Sequence, residues 1–298
     1  MSLLFTGLAA FPLTPADAAG IVDVEAVGLA VDRLAAAQVD AIGLLGSTGT
    51  YAYLDRSERM RAVSAALEAA NGRVSVIVGI GALRTTWAQE LAVDAERSGA
   101  AGLLMAPISY TPLTPVEAAH HYRTVAGSTG LPLCIYNNPS TTRFVFSDDL
   151  IAELAGVPNI AAIKMPLPAN REFAGELARL KNRVPPDFRI GYSGDWGAAD
   201  ALLAGGDSWY SVVGGLLPAQ ALQLTRAAQA RDAGEVRRLD AAFQPLWTLF
   251  KKHGGLRVMY EVADQLSLPS GEPPLPVRRI GSGFADAVAT ALAGLTNL

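Results

Sequence analysis

Asn159-Ile160-Ala161-Ala162-Ile163-Lys164-Met165-Pro166 is the stretch around which the rest of the chain can be read. Ile160 to Ile163 is a short, continuous apolar run, the pattern of a strand buried on both faces. Strands of that kind belong to parallel sheets covered by helices. The run ends on a lysine, with a proline two residues later. Burial favours the neutral form of an amine, and a neutral amine at the mouth of a strand is a nucleophile toward a carbonyl. A strand-end lysine can equally extend its head into water, so its neighbours have to decide between the two.

Working outward, Leu131 to Tyr136 is the apolar run before this strand, and Phe188 to Tyr192 and Trp209 to Val213 come after it. Earlier runs are Leu103-Leu104-Met105, Val74 to Val78 and Val39 to Leu45, and the apolar segment Met1 to Pro12 supplies a first strand. Helix signals separate them. Asp23 caps Val24 to Ala37, where Val24, Val27, Val31 and Leu34 share a face. Asp55 with Glu58, and Thr86 with Gln89, have capping-box spacing, and their helices stop near Asn71-Gly72 and Ser98-Gly99. Thr114-Pro115-Val116-Glu117 joins a cap, a first-turn proline and the reciprocal acid, and Ser147 opens a helix that closes before Val157-Pro158. Eight strand-then-helix units at short spacing predict an α/β protein, a closed (β/α)8 TIM barrel. A doubly wound sheet would open on G-x-G-x-x-G, which the early chain lacks. After Pro218 the segments Ala219 to Arg231, Glu235 to Lys252, Leu256 to Leu266 and Phe284 to Leu295 look helical, with a Pro-rich connector at Pro269 to Pro276. The expected division is a barrel over 1–218 and a C-terminal helical appendage over 219–298.

Composition narrows the partners. The 298 residues are 50% hydrophobic and 17% charged with a net charge of −4, enough apolar content for a large core and no basic footprint for nucleic acid or membrane. A single cysteine, Cys134, excludes an internal disulfide framework or a cysteine-rich zinc site, so a reducing cytoplasm and a small-molecule partner are expected. The apolar N-terminus has no basic leader region and reads as a strand rather than a signal peptide.

In such barrels the working face is built from the strand ends and the loops that leave them. Those positions here are Gly46-Ser47-Thr48-Gly49 after the second strand, Tyr110 after the fourth, Tyr136 at the end of the fifth, Lys164 at the end of the sixth and Ser193-Gly194-Asp195 after the seventh. A phenol and two hydroxyls would then surround the lysine. An amine there can form an iminium with a keto group, Tyr136 can relay protons, and the free N–H groups of Ser47 and Thr48 can hold a carboxylate. His120 and His121 are adjacent on a helix and cannot share one ligand. Asp195 is expected either to line the mouth with Trp196 or to cap the next helix.

Gly46-Ser47-Thr48-Gly49, Tyr136-Asn137-Asn138-Pro139 and Ile163-Lys164, in this order and at strand ends, resemble the dihydrodipicolinate synthase / N-acetylneuraminate lyase family of class I pyruvate aldolases. Ser193-Gly194-Asp195, Ala204-Gly205-Gly206 and Ser211-Val212 resemble its later strands, so the likeness spans nearly the whole chain. The resemblance implies a homotetramer, a dimer of dimers, that joins or cleaves a 2-keto acid such as pyruvate and an aldehyde without metal or organic cofactor. It implies Lys164 as the Schiff-base residue, Tyr136 as the proton shuttle, Thr48 in the hydroxyl relay, Ser47 beside the pyruvate carboxylate, and Tyr110 as a tyrosine offered to a neighbouring subunit.

Three departures bear on the substrate. Thr50 stands where the family carries a buried glutamate, Thr141 stands where synthases carry the arginine that grips the aldehyde's carboxylate, and Met165-Pro166 follows the lysine where polar residues are usual. Thr141, Arg143, Met165 and Tyr210 are expected to face the variable half of the substrate, with Gly46 and Gly194 close to it, and that partner is expected to be less charged than the synthase aldehyde. A dehydratase or decarboxylase of sugar-derived keto acids through the same imine, and a non-catalytic keto-acid-binding barrel, are the alternatives.

Overall fold

The computed structural model describes residues 4–281 and 283–295, so Met1 to Leu3 of the expected first strand lie outside the described residues. Eight strands pair in parallel: β1 (Gly7–Ala10), β2 (Ala41–Leu44), β3 (Ser75–Gly79), β4 (Gly102–Met105), β5 (Leu133–Tyr136), β6 (Ile160–Met165), β7 (Arg189–Tyr192) and β8 (Ser208–Ser211). They follow chain order around the sheet, and β1 closes on β8 with Gly7 opposite Ser208. This is the (β/α)8 barrel that the eight units predict.

The helices that cover it are α1 (Val24–Ala36), α2 (Arg56–Ala70), α3 (Thr85–Ser98), α4 (Pro115–Ala126), α6 (Asp148–Ala155), α7 (Phe173–Lys181), α8 (Ala198–Leu203) and α9 (Pro218–Gln229). A one-turn helix that the sequence reading did not anticipate, α5 (Pro139–Thr142), sits in the loop after β5. α9 packs against α8 and β1 and so completes the ring, while α10 (Ala233–His253), α11 (Gly255–Gln265) and α12 (Phe284–Ala293) pack on one another beside it.

Local capping explains most of the helix starts. The side chains of Asp23, Asp55 and Ser147 accept the N–H of the third helical residue of α1, α2 and α6, and Thr114 with Glu117 forms the full reciprocal box. Two expectations fail. Glu58 does not reach back to Asp55 but accepts the N–H of Val22 at 2.7 Å, where a buried donor needs a partner more than an exposed helix end does. Thr86 does not cap α3, which begins one residue earlier, with Arg84 at the cap position and Thr85 Oγ1 2.9 Å from His121 Nδ1.

Two apolar layers hold the barrel. One lies between strands and helices, built from residues such as Leu34, Val76, Leu103, Ile163 and Ile190, each contributing about 1.5–3 kcal/mol on full burial. The other fills the inside, where Leu4, Phe5 and Ile77 meet the small side chains of Ala9, Ala41 and Ala162, with Phe11 and Tyr210 above them. Small residues along the strands leave the interior volume to a few large rings. That choice shapes the site.

Candidate active site

Lys164 is paired in register with Tyr136 on β5 and Gly191 on β7, and the residue is 3% exposed at the C-terminal mouth. Its Nζ lies 4.1 Å from the centroid of the Phe11 ring, 4.1 Å from that of Tyr136 and 5.6 Å from that of Tyr210. Among the described residues no carboxylate pairs with it. The amine therefore stands on aromatic faces, which attract a cation but hold no proton and compete for no bond with a substrate.

Glycines in and just after the strands make that platform. A Cβ on Gly43 would lie 2.2 Å from Phe11 Cζ, one on Gly46 2.5 Å from Phe11 Cδ1, and one on Gly191 2.6 Å from Tyr210 Cε2. Gly46 thus makes room for the Phe11 ring. Tyr210 lies beneath the lysine, fully buried, with its hydroxyl 3.3 Å from Cys134 Sγ, and does not reach the substrate side. Burial raises the ordinary acidity values of both groups, the Cys134 thiol to about 12.

Above the lysine a cleft of about 540 Å³ opens, lined among others by Ser47, Thr48, Thr50, Tyr136, Thr141 and Asp195. Ser47 Oγ approaches Tyr136 Oη at 3.5 Å, whereas Thr48 lines the cleft without bonding the phenol. The backbone N–H groups of Ser47 and Thr48 have no acceptor among the described residues, while Thr50 N–H closes the turn on Ser47 O at 3.2 Å. Thr50 itself takes φ 53°, a left-handed conformation costly for a β-branched residue, at a position that lines the cleft. The glutamate that the family carries there is not the brace here: Arg59 donates to Leu54 O and Gly81 O and lies 5.2 Å over the Tyr51 ring, holding the loop from below.

Asp195 lines the cleft and is fully buried, yet it does not cap its own helix. Its Oδ1 accepts Trp209 Nε1 at 2.7 Å and Val212 N–H, and its Oδ2 accepts Val213 N–H at 2.9 Å, so it clamps the turn after β8 to the turn after β7. Burial pushes its pKa up to about 6 against the downward pull of these donors and of Lys164.

Several expected residues fall elsewhere. Thr141 and Gly194 line the cleft, whereas Arg143, the C-cap of α5 with φ 56°, is exposed and does not line it. Met165 is buried, its sulfur accepting Asn137 Nδ2 at 3.6 Å. Tyr110 is 97% exposed and outside the cleft. His120 is exposed, and His121 is buried on Thr85 with its pKa lowered by burial and by His120.

Two contributors escaped the sequence reading. Asn138 Nδ2 donates to Tyr136 Oη at 3.1 Å, with its amide turned that way because its Oδ1 accepts Ser140 Oγ at 2.8 Å. Phe250, Gly254 and Leu256, at the junction of α10 and α11, form the far wall of the cleft. Adjacency to Tyr136 was the available signal for the first, and the second had none. Among the described residues no group of three or more His, Cys, Asp or Glu could hold a metal ion.

With this geometry in place, comparison with known proteins is informative. The model of the dihydrodipicolinate synthetase family matches residues 4–292. The 4-hydroxy-tetrahydrodipicolinate synthase of Laribacter hongkongensis is 32% identical over 97% of this chain and 98% of its own. A crystal structure of dihydrodipicolinate synthase from Agrobacterium tumefaciens superposes with a TM-score of 0.97 at 59% identity, over 99% of this chain and 100% of that one. A monomeric dihydrodipicolinate synthase variant also superposes, with a TM-score of 0.90 at 25% identity, covering 99% and 98%. The match runs through the strand ends that carry Ser47, Tyr136 and Lys164, and the chain belongs to the dihydrodipicolinate synthetase family of aldolase-type carbon–carbon lyases.

Proposed function

We propose that the protein joins or cleaves a 2-keto acid and an aldehyde through an imine on Lys164. What carries this reading is an amine on three aromatic rings, without an ion pair, at the floor of an open cleft. In the joining direction Lys164 attacks the keto carbon and water leaves, giving an iminium. The iminium acidifies the neighbouring methyl, which gives up a proton to become an enamine. The enamine carbon bonds to the aldehyde carbon, the new alkoxide takes a proton, and water releases a 4-hydroxy-2-keto acid from the lysine. Tyr136 is the proton carrier, with Ser47 and Asn138 on its oxygen. The free N–H groups of Ser47 and Thr48 receive the keto acid's carboxylate, and the Thr48 hydroxyl lies beside it. No metal or organic cofactor enters this sequence.

Tyr110 takes part when a second copy of the chain brings it to the mouth of its neighbour, as the homotetramer expected of the family would allow. Location in the cytoplasm fits a chain in which, among the described residues, no helix is long and apolar enough to cross a membrane. Borohydride reduction in the presence of pyruvate, followed by intact mass, tests the core of the proposal. The expected result is one reduced adduct per chain, absent in Lys164→Ala; no adduct on the unaltered protein rules the imine out.

A further inference from the structure

The single helical turn α5 follows Tyr136 closely, and its bonds converge on Asn138, the residue that opens it. The main-chain oxygen of Asn138 accepts the N–H groups of Thr141 and Thr142 at 3.1 and 3.0 Å and their hydroxyls at 3.3 and 2.9 Å. Arg143 N–H closes the turn on Pro139 O at 3.0 Å, and Asn137 N–H ties the chain just before it to Lys164 O at 3.0 Å. Asn138 is thus held by main-chain bonds, and its side chain is left to other partners.

Ser140 Oγ donates to Asn138 Oδ1 at 2.8 Å, and Asn138 Nδ2 donates to Tyr136 Oη at 3.1 Å. Asn138 is half-buried and is a wall of the adjoining groove, not of the cleft above Lys164, so it meets the phenol without facing the keto acid. An amide N–H can only donate. The phenol oxygen is therefore the acceptor in this bond, and its own proton points elsewhere. Ser47 Oγ, at 3.5 Å, is the other group on that oxygen among the described residues, and the cleft lies beside both.

The value of this N–H changes during the reaction. Tyr136 gives its proton to the hydroxyl that leaves the lysine adduct as water, and as a phenolate it takes a proton from the methyl of the iminium. A hydrogen bond to the ionised oxygen is roughly twice as strong as one to the neutral phenol. An apolar side chain at 138 would leave the phenolate with Ser47 alone.

We propose that Asn138 is a positioning residue for proton transfer: held by α5 and turned by Ser140, it directs the Tyr136 proton toward Ser47 and the cleft and stabilises the phenolate that remains. This rests on the aldolase reading of Lys164. Deuterium wash-in at the pyruvate methyl reads the proton step, and the borohydride adduct reads the imine in the same sample. In Asn138→Leu, wash-in at saturating pyruvate should slow by about 10- to 100-fold, while the adduct yield and the pyruvate concentration for half-maximal trapping stay within about twofold. In a Tyr136→Phe background the same substitution should have no further effect, because the oxygen it acts on is gone. Asn138→Asp keeps the shape and the acceptor for Ser140 but has no N–H, so at neutral pH it should be slowed at least as much, and it carries the test should the leucine variant fail to fold. Unchanged wash-in in Asn138→Leu overturns the proposal. So does full rate in Asn138→Asp, which would mean that the phenol donates to residue 138, and so does equal slowing with and without the Tyr136 hydroxyl, which would mark a structural role. An adduct with any of these results defeats this proposal alone, whereas no adduct on the unaltered protein defeats the aldolase reading and this proposal with it.

Discussion

The two ends of the barrel are built on opposite principles. At the N-terminal end Asp40 accepts Leu8 N–H at 2.7 Å and is held by both terminal nitrogens of Arg226 at 2.9 Å. Asp207 beside it accepts Ile190 N–H and meets Arg189, and Leu4 and Phe5 plug the interior. At the C-terminal end Lys164 has rings instead of a counter-ion, Asp195 is buried with a raised pKa, and Thr50 holds a strained φ. Thr14 Oγ1 and Asn137 Oδ1 are buried there without partners among the described residues, whereas the orphan at the other end, Arg189 Nε, belongs to a guanidinium already bonded to Asp207. Charges satisfied at one end stabilise the barrel. At the other end the buried orphans cost stability, and Lys164, left without a counter-ion, faces the cleft.

That division can be broken by experiment, and the largest effect is expected at the lysine. Lys164→Met keeps the packing on Phe11 and Tyr136 and removes the amine, so the pyruvate adduct should vanish while stability rises by about 0.5–2 kcal/mol in denaturant unfolding. A fall in stability would mean that the lysine supports the fold after all. Tyr136→Phe keeps the ring under the lysine and deletes the hydroxyl bonded by Asn138. The adduct should still form, but deuterium wash-in at the pyruvate methyl should slow by about 10²–10⁴-fold.

At the closed end Gly7 has φ 73°, and a Cβ there would lie 2.2 Å from Asp40 Oδ2. Gly7→Ala should cost about 2–4 kcal/mol, read by chemical denaturation, while the folded fraction keeps its borohydride adduct. Loss of the adduct in proportion beyond unfolding would show that the two ends are coupled.

The smallest effect concerns pH. Asp195 has a folded pKa raised to about 6 by burial, so the folded protein binds this proton more readily than the unfolded chain. Its contribution to stability therefore grows as pH falls from about 6 toward the unfolded carboxylate value and is lost as pH rises through 6. Exposed caps such as Asp55 and Glu117, lowered by their hydrogen bonds, run the other way and lose their contribution on acidification. The melting temperature of the unaltered protein relative to Asp195→Asn should accordingly improve between pH 7 and pH 5. A flat difference would remove Asp195 from the strained end.

Much of this was legible in the chain. Caps at Asp23, Asp55, Thr114 and Ser147 are interactions over three residues, and the apolar runs between them carry the strand signal within themselves. The strand-end position of Lys164, its neighbour Tyr136 and the hydroxyl loop at Ser47 emerged from counting units, because a closed parallel barrel brings every strand end to one face. Where local rules failed, a tertiary partner won: Glu58 went to Val22, and α3 began at Thr85 rather than after Thr86.

By itself, then, the sequence determined the period, the closure and the order of groups around the mouth, since those depend on residues near one another in the chain. Only the tertiary structure decided what the lysine stands on and what faces it. Phe11, Tyr210, the slots at Gly43, Gly46 and Gly191, the Asp195 clamp and the wall from Phe250 to Leu256 meet across most of the chain's length. Contacts at that separation leave no periodic trace, because each is chosen by the space that the others leave.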